Sequence, residues 1–501
     1  MNSNSPNYQP NHPPRKVKIV CTLGPSSKTV EQLEKLMLAG MDIARLNFSH
    51  GTHEFHLNLI QNIREASRRT GKHVAIMQDL QGPKMRAGKL KPGGLDLVAD
   101  DKLVLFPEGA TCKTAGNDQT PLPISAEIAI AVSQDVKSGS RILFDDGKIE
   151  TRVTRVSPPE IHVEVTVGGK LTDNKGMNLP GTPLTLSCLT DKDIEDLKFG
   201  LEQKVDAVAL SFVRSPEDIE DLRAKIKKFS THEPLVIAKI EREEAIELQD
   251  RIIEVTDGLL VARGDMAVEI GAEKVPTVQK NLIYACNEMG VPVITATQML
   301  ESMISSPTPT RAEASDVANA VFDGTDAVML SGETASGSYP IEAVETMARV
   351  ITESERSPEL FARFQQIIPQ PGSVVESIQF SASKIASHLS ASILACITHS
   401  GVAARALAKY RPQTNIIAIT ERPEILRRLA FTWGVRGVAI DKLVATDDVF
   451  AMVERVLLEY KLSQKDETVV ITAGIPTLRR GTTNMIKVHK IGASPSREIR
   501  P

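Results

Sequence analysis

Lys239 and Glu241 stand two residues apart in the run LVIAKIE, and Asp265 closes the next apolar run, LLVARGD. Side chains on a strand alternate between faces, so Lys239 and Glu241 point to one side. One reading is a structural ion pair between them. The other is a magnesium site: Mg²⁺ keeps waters and takes one or two protein carboxylates plus substrate oxygens. A lysine beside such a site would neutralise charge on a transferring phosphoryl group. Gly264 leaves room for close approach of the backbone, and the segment MAVEI after it could open a helical turn whose free N–H groups hold a carboxylate. Thr297 in TATQ could present a hydroxyl to the same pocket. Neither GxxxxGK[ST] nor GxGxxG occurs, so the familiar nucleotide-binding loops are not supported.

The scaffold for these residues follows from the rhythm of the chain. Short β-branched runs alternate with helical patterns, the mark of a parallel sheet with helical crossovers. KVKIVCTLG, MDIARLNFS and HVAIMQD come first; DAVALSF, PLVIAKIE, DGLLVARGD, PVITATQ and TDAVMLSGE come later. Three plus five such units make the count of a TIM (β/α)8 barrel. Polar side chains gather where these runs end: Arg45 and Asn47, Asp79, Ser211, Lys239 and Glu241, Arg263 and Asp265, Thr297 and Gln298, Glu333. In such a barrel those ends face one mouth, where catalytic residues sit; the plainer alternative is that polar residues simply mark strand ends.

Between the two blocks the rhythm breaks into Gly-, Pro- and Asp-rich sequence with alternating stretches such as IHVEVTV and a turn at Asp146-Gly147, which predicts an inserted all-β lid domain, a small β-barrel. After QQIIPQPGS a second α/β unit follows, with strands expected in SILACIT, NIIAIT, RGVAI, TVVITA and MIKVHK. The expected organisation is a disordered tail over 1–15, a barrel over 16–82 and 185–355, the lid over 83–184 and a C-terminal α/β regulatory domain over 356–501.

Composition narrows the class. With 501 residues, the chain has room for about three domains at roughly 150 residues each. Lys+Arg 59 against Asp+Glu 63 gives a net charge of -4, which argues against a dedicated nucleic-acid binder. No apolar run approaches the roughly 20 residues that span a bilayer. Five scattered cysteines without a CxxC fit reduced thiols, and the polar, Pro/Asn-rich N-terminus has no apolar signal segment, so a cytoplasmic location is expected.

The chain resembles the pyruvate kinase family over nearly its whole length after residue 15. The resemblance rests on CTLGPSS, ARLNFSHGT, DLQGPKMR, KGMNLPG, LSFVR, AKIE, VARGDMAVEI, ATQMLESM, PTRAEASDVANAVFDGTDAVMLSGETA and ALAKYRP. It implies transfer of the phosphoryl group of phosphoenolpyruvate to ADP, giving pyruvate and ATP. Glu241 and Asp265 match the family's divalent-cation ligands (Mg²⁺ or Mn²⁺). Lys239 matches the lysine that stabilises the phosphoryl group and the enolate, and Arg45 the arginine on the substrate phosphate. Arg86 and Lys175 match residues near the nucleotide phosphates, with Asn47 and His50 also implicated in the ADP pocket. Thr297 matches the threonine near the carbon that receives a proton; a water chain through its hydroxyl is the expected route. The inserted domain would be a mobile lid that excludes water. A homotetramer is implied by the family alone.

One segment departs from potassium-dependent relatives, which read DTKGPE where this chain reads DLQGPK. Their potassium ligands persist as Asn47, Ser49 and Asp79, but their glutamate is Lys84. A lysine ammonium is a compact point charge on a flexible stem, so Lys84 is expected to replace K⁺, which would not be required. In the C-terminal unit, Thr398, Ser400 and Gly401 at a helix start form either a phosphate cradle or a plain cap. In the family this loop, with the one near Arg479 to Thr483, binds phosphorylated effectors. Lacking the extra basic residue and the Trp of the strongest fructose-1,6-bisphosphate binders, this chain is expected to respond to a sugar monophosphate or AMP. Two other readings are open: a magnesium-dependent barrel lyase or aldolase, and a sugar-phosphate sensor with an inactive barrel. The charge runs RAKIKK and EREE read as solvated helix faces, and His53, His56 and His73 have no metal-ligand spacing.

Overall fold

The computed structural model describes residues 15–362, 364, 367–369, 372–442, 448–476 and 483–493. In chain order the strands are β1 (Lys18–Thr22), β2 (Ile43–Asn47) and β3 (Ala75–Asp79). The inserted domain holds β4 (Leu95–Leu97), β5 (Lys102–Pro107), β6 (Gln119–Ile124), β7 (Arg141–Phe144), β8 (Ile149–Ser157), β9 (Glu160–Val167), β10 (Gly169–Leu171) and β11 (Met177–Asn178). Then follow β12 (Ala207–Leu210), β13 (Leu235–Ile240), β14 (Gly258–Ala262), β15 (Val293–Ala296) and β16 (Ala327–Leu330). The C-terminal unit holds β17 (Ile393–Ile397), β18 (Asn415–Thr420), β19 (Val435–Ala439), β20 (Thr468–Ala473) and β21 (Met485–Lys490).

The first and third groups close into one parallel barrel in the order β1-β16-β15-β14-β13-β12-β3-β2. Its strands carry two apolar faces, as a sheet covered on both sides must. Val20, Ile43, Met77, Ala209, Ile237 and Leu260 are among the side chains that fill the interior, while Ile19, Ala44, Ile76, Val208, Val236 and Leu259 pack outward under the helices. The helices begin where their sequences say: Thr29 caps Val30–Ala39, and Ser215 with Pro216 and Asp218 starts Pro216–Phe229. Each such helix turns a buried stripe, Leu33, Leu36 and Met37 in the first, onto the barrel.

The inserted domain is a six-stranded sheet, β11-β7-β8-β9-β5-β6, with a two-stranded β10-β4 pair. Single bridges from Arg86 to Gly176 and from Ala87 to Ile124 tie the incoming chain to both edges of that sheet. The domain also contains a helix, Ala126–Asp135, whose Ile128, Ala129 and Val132 pack into the lid core. The C-terminal unit is a five-stranded sheet, β19-β18-β17-β20-β21, with β21 antiparallel.

Packing crosses several of the expected boundaries. Arg15, assigned to the tail, pairs with Asp42 at 2.7 Å; residues 1–14 lie outside the described residues. Leu186 still packs against the lid core, and the barrel core resumes at Cys188. Leu360, Phe361 and Phe364, in the stretch assigned to the C-terminal unit, pack into the barrel core. Four of the five thiols, Cys21, Cys188, Cys286 and Cys396, are buried and unbridged. No helix among the described residues is long and apolar enough to cross a membrane.

Candidate active site

Strand periodicity builds the site. Ile43, Met77, Ala209 and Ile237 face the barrel interior. Two residues further along each strand, Arg45, Asp79, Ser211 and Lys239 therefore face the same interior, at the C-terminal mouth. They meet there. Arg45 Nε donates to Asp79 Oδ2 at 2.7 Å, and its Nη1 to Thr22 Oγ1 at 2.9 Å. Lys239 Nζ lies 3.3 Å from Asp79 Oδ1 and 2.9 Å from Glu241 Oε1, and donates to Ser211 Oγ at 2.7 Å. The Phe212 N–H donates to Glu241 Oε2 at 2.8 Å. The ion pair between Lys239 and Glu241 thus exists, within a larger cluster drawn from the ends of five neighbouring strands.

Charge balance in this cluster is tight. Burial opposes the Asp79 charge, but Lys239 and Arg45 outweigh it and hold the carboxyl below its ordinary value. Burial likewise opposes the Lys239 charge, yet Asp79 and Glu241 hold the ammonium above its ordinary value. Glu241 is pushed up, first by burial and then by repulsion from Asp265, against the pull of Lys239. Asp265 is exposed on the first turn of the helix Arg263–Ile270. A divalent cation between Glu241 and Asp265 would relieve the repulsion between them, so the donor set fits such an ion. No group of three or more His, Cys, Asp or Glu side chains suited to a metal occurs among the described residues. A two-carboxylate site completed by substrate oxygens and water is the magnesium-type arrangement.

The remaining residues arrange themselves around this corner. The helix expected after Gly264 begins one residue before it, at Arg263. The Gly264 N–H donates to Thr297 Oγ1 at 2.9 Å. Thr297 has φ 70, a conformation strained for a β-branched residue, and Arg263 Nη2 braces its carbonyl at 2.6 Å. His50 is held below its ordinary value first by burial and then by the nearby cations Lys84, Arg86 and Arg45. Lys84 is lowered by burial and by Arg86, while Asp265 and Glu241 pull it the other way, so its ammonium shares the field of the carboxylate corner. Asn47 Oδ1 accepts from the Ser49 N–H at 3.1 Å, shaping the turn that presents His50.

Other expected positions fall elsewhere. Lys175 pairs with Asp145 at 2.7 Å within the lid and does not join the cluster. Arg86, by contrast, stays within the field of His50 and Lys84, and its Nη1 donates to the Asn174 carbonyl at 3.2 Å. Glu333 is buried and accepts from the Leu300 and Ser331 N–H groups, so it caps backbone. His53 pairs with Asp196 and His56 stacks on Phe48, both supporting the loop after β2. In the C-terminal unit, Thr398 Oγ1 accepts from the Gly401 N–H at 2.9 Å, shaping the turn before the helix Val402–Lys409, whose N-cap Gly401 has no side-chain cap; Ser400 is exposed. Of the loop Arg479 to Thr483, residues 479–482 lie outside the described residues.

Two participants carry pairings that their sequence reading does not give. Asp79 reads as a strand end and a match to a potassium ligand; in the fold it is the counter-ion shared by Arg45 and Lys239. Arg242, within the run EREE that reads as solvated, is only 3% exposed and pairs with Glu269 at 2.9 Å. No local signal separates a buried arginine from a solvated one in such a run; its burial depends on the fold around it.

Comparison with known proteins agrees with this geometry. The family model described as pyruvate kinase, barrel domain, matches residues 14–344, and that described as pyruvate kinase, alpha/beta domain, matches 376–489. A pyruvate kinase of Staphylococcus saprophyticus is 44% identical over 483 residues, covering 95% of this chain and 81% of the relative. One of Geobacillus stearothermophilus is 44% identical over 95% of this chain and 80% of its own length. The crystal structure of a pyruvate kinase from Cryptosporidium parvum aligns with TM-score 0.88 and 38% identity, covering 95% of this chain and 96% of the other. Two family models in tandem, and relatives matched across nearly the whole chain, admit one reading: the chain belongs to the pyruvate kinase family.

Proposed function

We propose that the barrel mouth performs the family reaction, phosphoenolpyruvate + ADP + H⁺ → pyruvate + ATP, with the following division of labour. Arg45 binds the phosphate of phosphoenolpyruvate. Lys239 neutralises the phosphoryl group in flight and then the enolate oxygen. Glu241 and Asp265 hold a divalent cation, Mg²⁺ or Mn²⁺, which when bound adds positive charge against the phosphoryl and enolate oxygens. The N–H groups at the start of the helix Arg263–Ile270, Asp265 among them, receive the substrate carboxylate, with the Gly264 N–H exchanging Thr297 Oγ1 for it when substrate binds. Asn47, His50, Arg86 and Lys175 serve ADP, Lys175 leaving Asp145 when the lid carries it inward. Thr297 orients water that delivers the proton to the enolate carbon. Lys84 takes the place of a monovalent cation.

The observation that carries this reading is the position of Lys239 Nζ. It lies between Asp79 and Glu241 at 3.3 and 2.9 Å, on the inner face of a closed barrel. Lys239→Met removes the charge while keeping much of the stem. ATP formation from ADP and phosphoenolpyruvate should fall about 10²–10³-fold in kcat, the scale of losing one preorganised charge-stabilising group. An unchanged kcat would remove Lys239 from the mechanism.

The C-terminal unit is proposed to bind a sugar monophosphate or AMP at Thr398, Ser400 and Gly401. The exposed Ser400 beside a helix start supports this. Titration with ribose 5-phosphate, glucose 6-phosphate, AMP and fructose 1,6-bisphosphate tests it: a monophosphate should lower the half-saturating phosphoenolpyruvate concentration, and no response to any of them ends the regulatory reading. A homotetramer and a cytoplasmic location belong to the same reading, supported by family membership and by the buried, unbridged thiols.

A further inference from the structure

Arg242 follows Glu241 directly and precedes the short helix Glu243–Glu247. It is buried, and its guanidinium reaches three separate elements. Nη2 donates to the carbonyl of Thr182 at 2.8 Å. Thr182, itself buried, lies on the strap that returns from β11 of the lid to the barrel. Nη1 donates to Glu269 Oε1 at 2.9 Å. Glu269 stands one turn after Asp265 on the helix Arg263–Ile270, and its second oxygen, Oε2, has no hydrogen-bond partner. Nε and Nη2 also reach Glu244 at 3.4 and 3.2 Å.

A second part of the lid passes close to the same helix. The lid hairpin between β7 and β8 turns at Gly147, where an added Cβ would stand 3.8 Å from Val268 Cγ1, the residue before Glu269. The lid hairpin therefore lies near the Asp265 helix, and the lid's strap is tied to that helix by one guanidinium.

We propose that Arg242 is a positioning residue that couples the pivot of the lid to the carboxylate corner, by holding the Thr182 carbonyl and the Asp265 helix in fixed relation to Glu241. The proposal rests on reading Glu241 and Asp265 as that corner. The planar fork of arginine suits this role, because its separate N–H vectors address the carbonyl and the carboxylate at once, which a single ammonium cannot do with the same geometry. The strap cannot shift at Thr182 without disturbing the group that orients the Asp265 helix.

The test uses the full-length protein with Arg242→Lys, which keeps the charge but loses the fork, and Glu269→Gln, which keeps the shape but loses the charge. Hydrogen–deuterium exchange is followed in the strap 178–187, in 263–270 and in the C-terminal sheet. Equilibrium Mn²⁺ binding is measured by the electron paramagnetic resonance of the free ion. Both variants should raise exchange in the strap and in 263–270 together, leave the C-terminal sheet unchanged, and weaken Mn²⁺ binding about tenfold, the scale of losing a group that orients metal ligands. Exchange that rises in only one of the two segments, or throughout the barrel, overturns the coupling, as does unaltered Mn²⁺ affinity. Glu241→Gln and Asp265→Asn separate the two readings. If they bind Mn²⁺ as the unmodified chain does, the corner itself is wrong, and paired exchange in the Arg242 variants then decides the tie between strap and helix alone.

Discussion

Asp79 sits between two cations, Arg45 and Lys239, and is almost fully buried. Removing its charge would leave both cations short of compensation inside the barrel. Breaking a buried pair in this way costs about 3–5 kcal/mol, so Asp79→Asn should lower stability on that scale. The pH dependence has a definite sign. The folded carboxyl ionises below its ordinary value of 3.8, so the ionised form is favoured by folding. The resulting stability is fully present above that ordinary value and is lost as pH falls through the lower folded value. Urea unfolding followed by circular dichroism between about pH 5 and pH 2 should show this loss in the unmodified chain and a flatter profile in Asp79→Asn. Equal slopes would mean that Asp79 is not the group lost in acid.

At the scale of elements, the proposed replacement of a monovalent cation by Lys84 depends on the segment after β3. Gly82, at φ 69, lies so close to Phe212 that an added Cβ would stand 2.7 Å from the ring. Its N–H is held by Asp193 Oδ1 at 3.1 Å. These contacts set the turn from which Lys84 reaches the field of Asp265 and Glu241. On the proposed reading, its ammonium supplies the charge that a bound K⁺ would supply. Activity in buffer free of potassium and ammonium should be full and should not rise on adding K⁺. Lys84→Glu should be slow in that buffer and recover when K⁺ is added. A strong response of the unmodified chain to K⁺ would refute the substitution.

At the largest scale, the floor of the barrel comes from the C-terminal unit. Ala430 and Phe431 belong to the same buried cluster as the inward side chains of the barrel strands. Around them the junction is polar and closed: Arg411 forks onto Asp326 at 3.1 and 3.0 Å, Arg427 meets Asp206 at 2.8 Å, and Lys18 Nζ donates to the Val435 carbonyl at 2.7 Å. The chain's one tryptophan, Trp433, packs here beside Phe361 and under Arg411, so its emission reports the junction. Phe431→Ala should cost about 3–5 kcal/mol, read as an earlier urea midpoint in tryptophan fluorescence. If the midpoint is unmoved, Phe431 does not support the barrel floor. This joint also packs the C-terminal unit directly against the strands that carry the charged cluster.

Apolar periodicity and turn chemistry are local, so the linear chain already specifies the rhythm of eight strand-and-helix units, the inserted sheet and the terminal α/β unit. It also puts Lys239, Asp79 and Arg45 at strand ends, since alternation along a strand follows from spacing alone. Which charges neutralise one another is set by long-range packing. Asp79 meets Arg45 from the adjacent strand and Lys239 from two strands beyond, through closure of the barrel and not through proximity along the chain. The same holds for Arg242, buried where a charge run reads as solvated, for Lys175, held by Asp145, and for Phe431, a C-terminal residue in the barrel core. Burial and pairing of charge depend on what arrives from distant segments, and only the closed fold brings those segments together.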